Sequence, residues 1–144
     1  IVFYIENLIL VSKLIDGNFP DYTKVIPNEN NNILTVDRIS LLSAVDRVST
    51  IANEKSPSIK FKLFNDLINL STINNENSTA TEDIKAKYIG NEIEIGFNAR
   101  YIMDILDNLE GKEIKLFFND NSTPIIAKEQ SDSNLLYVLM PMRV

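Results

Sequence analysis

Residues 93–118, IEIGFNARYIMDILDNLEGKEIKLFF, contain the pattern that decides the fold. The segment opens with alternating apolar residues that predict a strand, and Asn98 is a typical N-cap. A helix is expected from there to about Leu109, closed by Gly111, and a second strand over residues 114–118. A strand, a capped helix and a further strand in direct succession indicate an α+β unit.

The same order of elements occurs earlier in the chain. Residues 33–35 predict a strand, Asp37 an N-cap, and the following residues a helix to about Ala52 and a strand over 59–64. Each unit then continues with a turn and another strand, which are Asn65-Asp66 before 67–72 and Asn119-Asp120 before 125–128. The repetition predicts a pseudo-two-fold α+β domain, with two helices side by side on one face of one continuous antiparallel sheet.

Both predicted helices are amphipathic at 3.6 residues per turn. The apolar faces are Leu41, Ala44, Val45, Val48 and Ala52 in the first helix, and Ile102, Ile105, Leu106 and Leu109 in the second. The outward faces are Ser40, Ser43, Arg47 and Thr50, and Arg100, Asp104, Asp107 and Asn108. Hydroxyls with an occasional arginine can contact phosphates without reading bases. The alternative is an ordinary solvated face with an Arg100–Asp104 pair.

Composition limits the class of protein. The 144 residues are 44% hydrophobic and 24% charged, which is typical of one soluble domain with a real core. No apolar run approaches the length of a membrane span. The net charge of −6 opposes general binding to nucleic acid, so any role with DNA has to be local or topological.

The chain contains neither histidine nor cysteine. Their absence excludes the usual Ser and Cys triads, thiolate metal sites and most zinc sites, and we expect no cofactor. Carboxylate pairs such as Glu92 with Glu94, or Asp104 with Asp107, leave a carboxylate-dependent hydrolase or nuclease as the alternative reading. No glycine-rich phosphate loop or nucleophile elbow accompanies them.

The first residues predict two strands joined at Glu6-Asn7, and turn formers at 16–21 mark a first boundary. Pro20 and Pro27 stiffen the connection that follows. No initiator methionine or signal peptide precedes the first strand, so we expect a cytoplasmic protein that begins inside a longer chain.

The final stretch, YVLMPMRV at 137–144, is apolar where many termini are polar. Two methionines around a proline provide a polarizable, adaptable surface that suits a groove for several related peptides. The alternative is an edge strand that completes a sheet.

Three separated segments resemble one family. SKLIDGNFPDYTKVIP at 12–27, IGFNARYIMDIL at 95–106 and the terminal YVLMPMRV are similar to the C-terminal third of the bacterial sliding clamp, the beta subunit of the replicative DNA polymerase. The resemblance implies a non-catalytic processivity factor with a DNA-clamp fold, a ring-shaped homodimer whose helices surround duplex DNA. Residues 1–22 would be the terminal strands of the middle domain plus the linker, and residues 23–144 the third domain.

The resemblance also implies three groups of functional residues. A hydrophobic pocket that docks short peptides of the polymerase, the clamp loader and repair proteins would be formed by Pro20, Lys24, Val25, Asn98, Tyr101, Ser122, Pro124, Val138, Leu139, Met140, Pro141 and Met142. The DNA-facing residues would be Lys13, Arg38, Arg47 and Arg100. The dimer interface would include Thr50, Ile51, Glu76, Glu82 and Asp83.

Overall fold

The computed structural model describes residues 1–18, 21–53, 55–74, 78–129 and 135–143. These residues form two α-helices, α1 (Arg38–Ser49) and α2 (Ala99–Asp107), and a short 3-10 helix over Tyr22–Lys24. The strands are β1 (Val2–Ile5), β2 (Leu8–Val11), β3 (Asn32–Asp37), β4 (Ser58–Phe64), β5 (Leu67–Ile73), β6 (Thr79–Lys85), β7 (Lys87–Ile89), β8 (Ile93–Asn98), β9 (Glu113–Phe118), β10 (Ile125–Glu129) and β11 (Tyr137–Leu139). Neither described helix is long and apolar enough to cross a membrane.

The N-terminal strands form a separate two-stranded hairpin. β1 pairs with β2 in antiparallel register from Val2↔Val11 to Ile5↔Leu8, and Glu6 in the turn has a φ of 50°. The prediction of two strands joined at Glu6-Asn7 is therefore confirmed. Every residue of the hairpin is exposed, including its apolar side chains.

The remaining strands form two antiparallel sheets, of order β6-β5-β4-β8 and β11-β10-β9-β3-β7. The expected single continuous sheet is wrong in this respect. Each sheet takes the strands that follow one helix and adds the strand that precedes the other helix, so β8 pairs with β4 and β3 pairs with β9. Each sheet therefore contains strands of both units, and the chain passes from one sheet to the other at Ala86, between β6 and β7.

The pseudo-two-fold relation extends to single hydrogen bonds. The amide of Arg38, first in α1, donates to the carbonyl of Lys112 at 2.9 Å, and the amide of Ala99, first in α2, donates to the carbonyl of Pro57 at 2.8 Å. Both predicted caps are confirmed, because Asp37 accepts from the Ser40 amide and Asn98 from the Arg100 amide. The Ser40 hydroxyl and amide lower the pKa of Asp37.

Both helices end earlier than the sequence predicts. α1 stops at Ser49 rather than near Ala52, where the hydroxyls of Ser49 and Thr50 donate to the carbonyl of Asp46. The hydroxyls give that carbonyl a partner without another helical turn.

α2 stops at Asp107, and Gly111 does not close it in a left-handed conformation. The terminal carbonyls have other donors, because the Asn108 amide side chain binds the Asp104 carbonyl and the Arg38 guanidinium binds the carbonyls of Leu106 and Gly111. Side-chain donors replace the glycine cap.

The core lies between the two sheets and the two helices, which pack against each other. Apart from Ala52, which lies beyond α1 and is only half-buried, the predicted apolar faces of both helices are buried. Phe61 of β4 and Phe97 of β8 are fully buried and meet edge to face, with ring centroids 5.3 Å apart. Their contact joins β4, which follows α1, to β8, which precedes α2, and so links the two units.

Residues 79–89 form two strands that the sequence analysis does not assign. β6 is polar with few buried residues, so its alternation of apolar and polar residues is weak, and β7 is only three residues long.

Asp66 holds the chain where β6 passes into β7 by two hydrogen bonds. Its carbonyl accepts from the Ala86 amide and its carboxylate from the Tyr88 amide, while Asn65 and Asp66 adopt positive φ in the β4–β5 turn.

Replacing Phe61 with alanine should lower the free energy of unfolding by about 3 to 5 kcal/mol, because it removes a fully buried ring from the strand pair that links the two units. Chemical denaturation of the two proteins measures the difference. Phe64→Ala is the matched control, since Phe64 lies on the same strand and is only half-buried. An equal loss for both variants would contradict the role of the Phe61–Phe97 contact.

Candidate functional site

An apolar groove lies between α2 and the C-terminal strand β11. We call it the tail groove, and it has a volume of about 440 Å³. It is lined by Tyr101, Asp104, Ile105, Asn108, Tyr137, Val138, Leu139 and Met140. Tyr101 and Met140 are each 57% exposed, so the groove presents two large side chains at the surface. Four of the predicted pocket residues therefore meet in one place.

The tail reaches this position as a strand. β11 pairs with β10 through Ile125↔Leu139 and Ala127↔Tyr137, so the edge-strand alternative is correct and compatible with a groove. Leu139 is buried, and Tyr137 and Val138 are half-buried. Beyond β11, the Met142 amide donates to the Gly96 carbonyl at 2.8 Å and ties the chain to β8. Pro141 and Met142 are half-buried and do not line the tail groove.

Other predicted pocket residues line a second groove, which we call the linker groove. It has a volume of about 550 Å³ and is lined by Lys24, Val25, Ile26, Pro27, Asn28, Glu29, Asn30, Asn119, Thr123 and Pro124. Lys24 lies 3.7 Å from the carboxylate of Asp21, and both side chains are exposed. The Thr23 hydroxyl and amide lower the pKa of Asp21.

The register of β10 and β11 relates the two grooves. Pro124 immediately precedes Ile125, which pairs with Leu139, and Met140 immediately follows Leu139. Pro124 of the linker groove and Met140 of the tail groove therefore lie at the same end of one antiparallel strand pair.

The turn that leads to Pro124 is organised by Asp120. Its carboxylate accepts from the amides of Ser122 and Thr123 at 2.8 and 2.7 Å and from the Ser122 hydroxyl at 2.8 Å. These donors, the Ser122 amide first, lower the pKa of Asp120 to about 2. Ser122 is exposed and lines neither groove, and its hydrogen bonds to Asp120 lie within this turn.

Of the other predicted pocket residues, the structure describes Asn98 but not Pro20. Asn98 is half-buried and serves as the N-cap of α2, on the same helix as Tyr101 but outside both grooves. Pro20 lies outside the described residues.

The sequence analysis missed Asp104, Ile105, Asn108 and Tyr137 in the tail groove. Helical spacing could have found the first three, which lie three, four and seven residues after Tyr101. Residues 26–30 of the linker groove had no comparable local signal, since they face it through contacts with a turn far along the chain.

The predicted DNA-facing residues Arg38 and Arg47 bind groups within the chain. The guanidinium of Arg38 donates to the carbonyls of Gly111 and Leu106 at 3.1 and 2.9 Å. Arg47 forms a two-point pair with Glu82, with Nε donating to the carboxylate at 3.0 Å. This pair raises the pKa of Arg47 and lowers that of Glu82. Arg100 and Lys13 are exposed.

The predicted dimer residues lie on two neighbouring elements. Thr50 is exposed at the end of α1 and Ile51 beside it is half-buried, while Glu82 and Asp83 belong to β6. β6 is the edge strand of the four-stranded sheet, and α1 packs against it. Asp83 accepts from the Asn69 side-chain amide at 2.6 Å. Glu76 lies outside the described residues.

The carboxylates considered for catalysis are engaged elsewhere or exposed. Glu92 and Glu94 lie 2.8 and 3.4 Å from the Lys62 ammonium, and they raise its pKa, Glu92 more strongly. Asp104 and Asp107 are exposed on α2. Among the described residues, no group of three or more acidic side chains is arranged to hold a metal ion. The arrangement is that of a charged surface and not of a convergent acidic cleft.

The fold and the grooves define a pseudo-symmetric α+β domain with an exposed apolar groove at one end. Its sequence matches, over residues 23–143, the family described as DNA polymerase III beta subunit, C-terminal domain. The chain belongs to this family. The resemblance and the α+β fold class inferred from the sequence are therefore confirmed.

Several relatives support the assignment. The chain is 44% identical to the beta sliding clamp of Caulobacter vibrioides over 94% of its own length and 36% of that protein. Among solved structures, it superposes with a TM-score of 0.91 and 38% identity on a Bartonella birtlesii sliding clamp (DNA polymerase III subunit beta) bound to griselimycin, covering 99% of this chain and 38% of that one.

A Caulobacter crescentus pol III beta structure gives a TM-score of 0.89 with 44% identity, over 92% of this chain and 36% of that one. The chain therefore spans little more than a third of the length of these relatives. Their names are those of a clamp and a polymerase subunit, in agreement with the expectation of a non-catalytic chain.

The Asp120 turn should keep its structure at neutral pH and lose it only in strong acid. Because the folded pKa of about 2 lies below the unfolded value, the stabilisation is complete above about pH 4 and disappears as the pH falls through about 2. Carbon NMR of the Asp120 carboxyl should give a midpoint near 2, and the amide signals of Ser122 and Thr123 should follow it. A midpoint near 4 would contradict these hydrogen bonds.

Proposed function

We propose that this chain is the C-terminal domain of a DNA polymerase processivity factor. The whole protein forms a ring-shaped homodimer that encircles duplex DNA in the cytoplasm and docks the replicative polymerase, the clamp loader and repair proteins. The chain itself performs no catalysis. The observation that carries the docking role is the tail groove, where Tyr101 and Met140 are more than half exposed beside the buried Leu139.

The tail groove suits an apolar peptide of the glutamine-x-x-leucine-phenylalanine kind. Tyr101 offers a rigid ring with a polar edge, and Met140 an adaptable side chain, so the surface can receive leucine and phenylalanine side chains. Asp104 and Asn108 supply polar groups at the helix wall, which can orient the peptide backbone. In this proposal the linker groove, with Lys24, Val25 and Pro124, extends the docking surface from the end of the β10–β11 pair where Met140 lies.

The proposed contact with DNA is loose and independent of sequence. Arg38 and Arg47 are occupied by carbonyls and by Glu82, and the net charge of the chain is −6. A helix face of this kind cannot supply the several phosphate pairs that strong electrostatic binding needs. The ring, which surrounds the duplex, would hold the protein on DNA while the surface slides.

The proposed ring contact uses β6 and the end of α1. As an edge strand, β6 presents unpaired backbone groups on one side, which favours pairing with a strand of the neighbouring subunit. Thr50 and Ile51 directly follow α1, which packs against β6, and Asp83 is exposed on β6. In the same proposal, residues 1–22 complete a preceding domain, which would cover the exposed apolar side chains of the β1–β2 hairpin.

Replacing Tyr101 with alanine should weaken binding of such a peptide by about 2 kcal/mol, because an aromatic anchor at the centre of an interface contributes most of the energy there. Calorimetry on the complete subunit measures the change. Asp107→Ala is the matched control, since Asp107 is exposed on the same helix and lines neither groove. Unchanged affinity after removal of residues 140–144 from a folded protein would contradict the pocket.

The isolated chain should bind linear duplex DNA negligibly at physiological salt, because it is acidic and two of its helix arginines have partners within the chain. A complete dimer loaded on circular DNA should remain bound through a rise in salt and leave after the circle is cut. Gel filtration of the loaded complex before and after cutting measures this. Tight, steeply salt-dependent binding of short duplexes by the isolated chain would contradict a topological mechanism.

A further inference from the structure

We infer that Asn30 and Asn32 are positioning residues for peptide docking, because together they hold the turn that carries Pro124. We call this pair the asparagine clasp. The inference rests on the proposed docking function and adds to it a requirement for the side chains that hold the Pro124 turn in place. It concerns a run of asparagines whose composition alone predicts only a loop.

Asn30 connects the loop before β3 to both sides of a distant turn. Its side-chain Nδ2 donates to the carbonyl of Phe117 at 2.9 Å and to the carbonyl of Pro124 at 3.0 Å. Phe117 lies near the end of β9 and Pro124 immediately before β10, so one amide spans the place where these strands separate. Asn30 as a whole is half-buried, and its amide oxygen is buried without a hydrogen-bond partner among the described residues, so the two Nδ2 bonds are the side-chain hydrogen bonds that hold it.

Asn32 makes the second connection. Its Nδ2 donates to the carbonyl of Asn119 at 3.0 Å, between the two carbonyls that Asn30 binds. Gly90 leaves the space for this side chain, because a Cβ atom there would lie 2.4 Å from Oδ1 of Asn32. Asn31, between them, is exposed, as alternation along an extended segment requires. The clasp therefore secures three carbonyls of residues 117–124 with two side chains of one segment.

The clasp acts on the proposed docking surface through Pro124. Pro124 and Asn30 both line the linker groove, and Pro124 and Met140 lie at the same end of the β10–β11 pair. Asp120 fixes the interior of the turn, and the clasp fixes the turn against the linker loop. A wall that is already in place before a peptide arrives lowers the ordering cost of binding.

The chemistry requires an amide at position 30. Alanine would leave two carbonyls without this donor, and aspartate would direct negative oxygens at them. Nδ2 is the atom that faces the carbonyls, since the opposite orientation would place the amide oxygen against two acceptors.

The test measures affinity of the complete subunit for the peptide glutamine-alanine-aspartate-leucine-phenylalanine by calorimetry, beside thermal unfolding. Asn30→Ala and Asn32→Ala are the variants, and Asn31→Ala is the matched control from the same run. Asn30→Ala is then repeated in Pro124→Ala and Tyr101→Ala backgrounds. We expect Asn30→Ala to weaken binding roughly fivefold, since it removes order from the wall that carries Pro124.

The double variants separate positioning from general stability. Asn30→Ala should have less than about a twofold effect in the Pro124→Ala background and its full effect in the Tyr101→Ala background. Equal effects in both backgrounds, or unchanged affinity for folded Asn30→Ala and Asn32→Ala proteins, would overturn the inference. If Asn30→Ala does not fold, Asn32→Ala is tested in the same backgrounds under the same criteria. Failure of the unmodified subunit to bind would overturn the proposed docking function itself.

Discussion

The exchange of leading strands between the two units is the constraint on which the structure depends. β3 hydrogen bonds to β9 and β8 to β4, so neither unit can complete its own sheet. The amides of Arg38 and Ala99 continue the exchange into the first turn of each helix. Because α2 starts where β8 leaves β4, the position of Tyr101 is set by strands of the opposite unit. The apolar groove is therefore a product of the whole domain and not of the C-terminal residues alone.

Sequence patterns predicted the features that depend on residues close together in the chain. The caps at Asp37 and Asn98 and the buried stripes of the helices follow from spacing and side-chain chemistry, and the structure contains them. The division into two sheets could not be predicted in this way, since a strand carries no mark of which partner it pairs with. The end of α2 was missed for a related reason. Arg38, far away in sequence, donates to a terminal carbonyl of the helix, so a glycine cap is not needed there.

The candidate site shows the same division between local and distant information. The apolar tail indicated a surface for peptides, and Tyr101 entered through the family resemblance, whereas Asp104 and Asn108 required only attention to the helix repeat. The charge of Arg38 and Arg47 gave no sign of their use, because a basic side chain looks the same in sequence whether it meets a phosphate, a carbonyl or Glu82. Which partner it has depends on packing.

The β1–β2 hairpin has a practical consequence. Its side chains, including Tyr4, Leu8 and Val11, are apolar and exposed, and its two outer backbone edges have no further strand beside them in the described part of the chain. Such a ribbon is a template for intermolecular β-pairing. In a concentrated solution of the isolated chain, turbidity or slow oligomer growth would start from this hairpin and would leave the folded α+β domain intact within each particle.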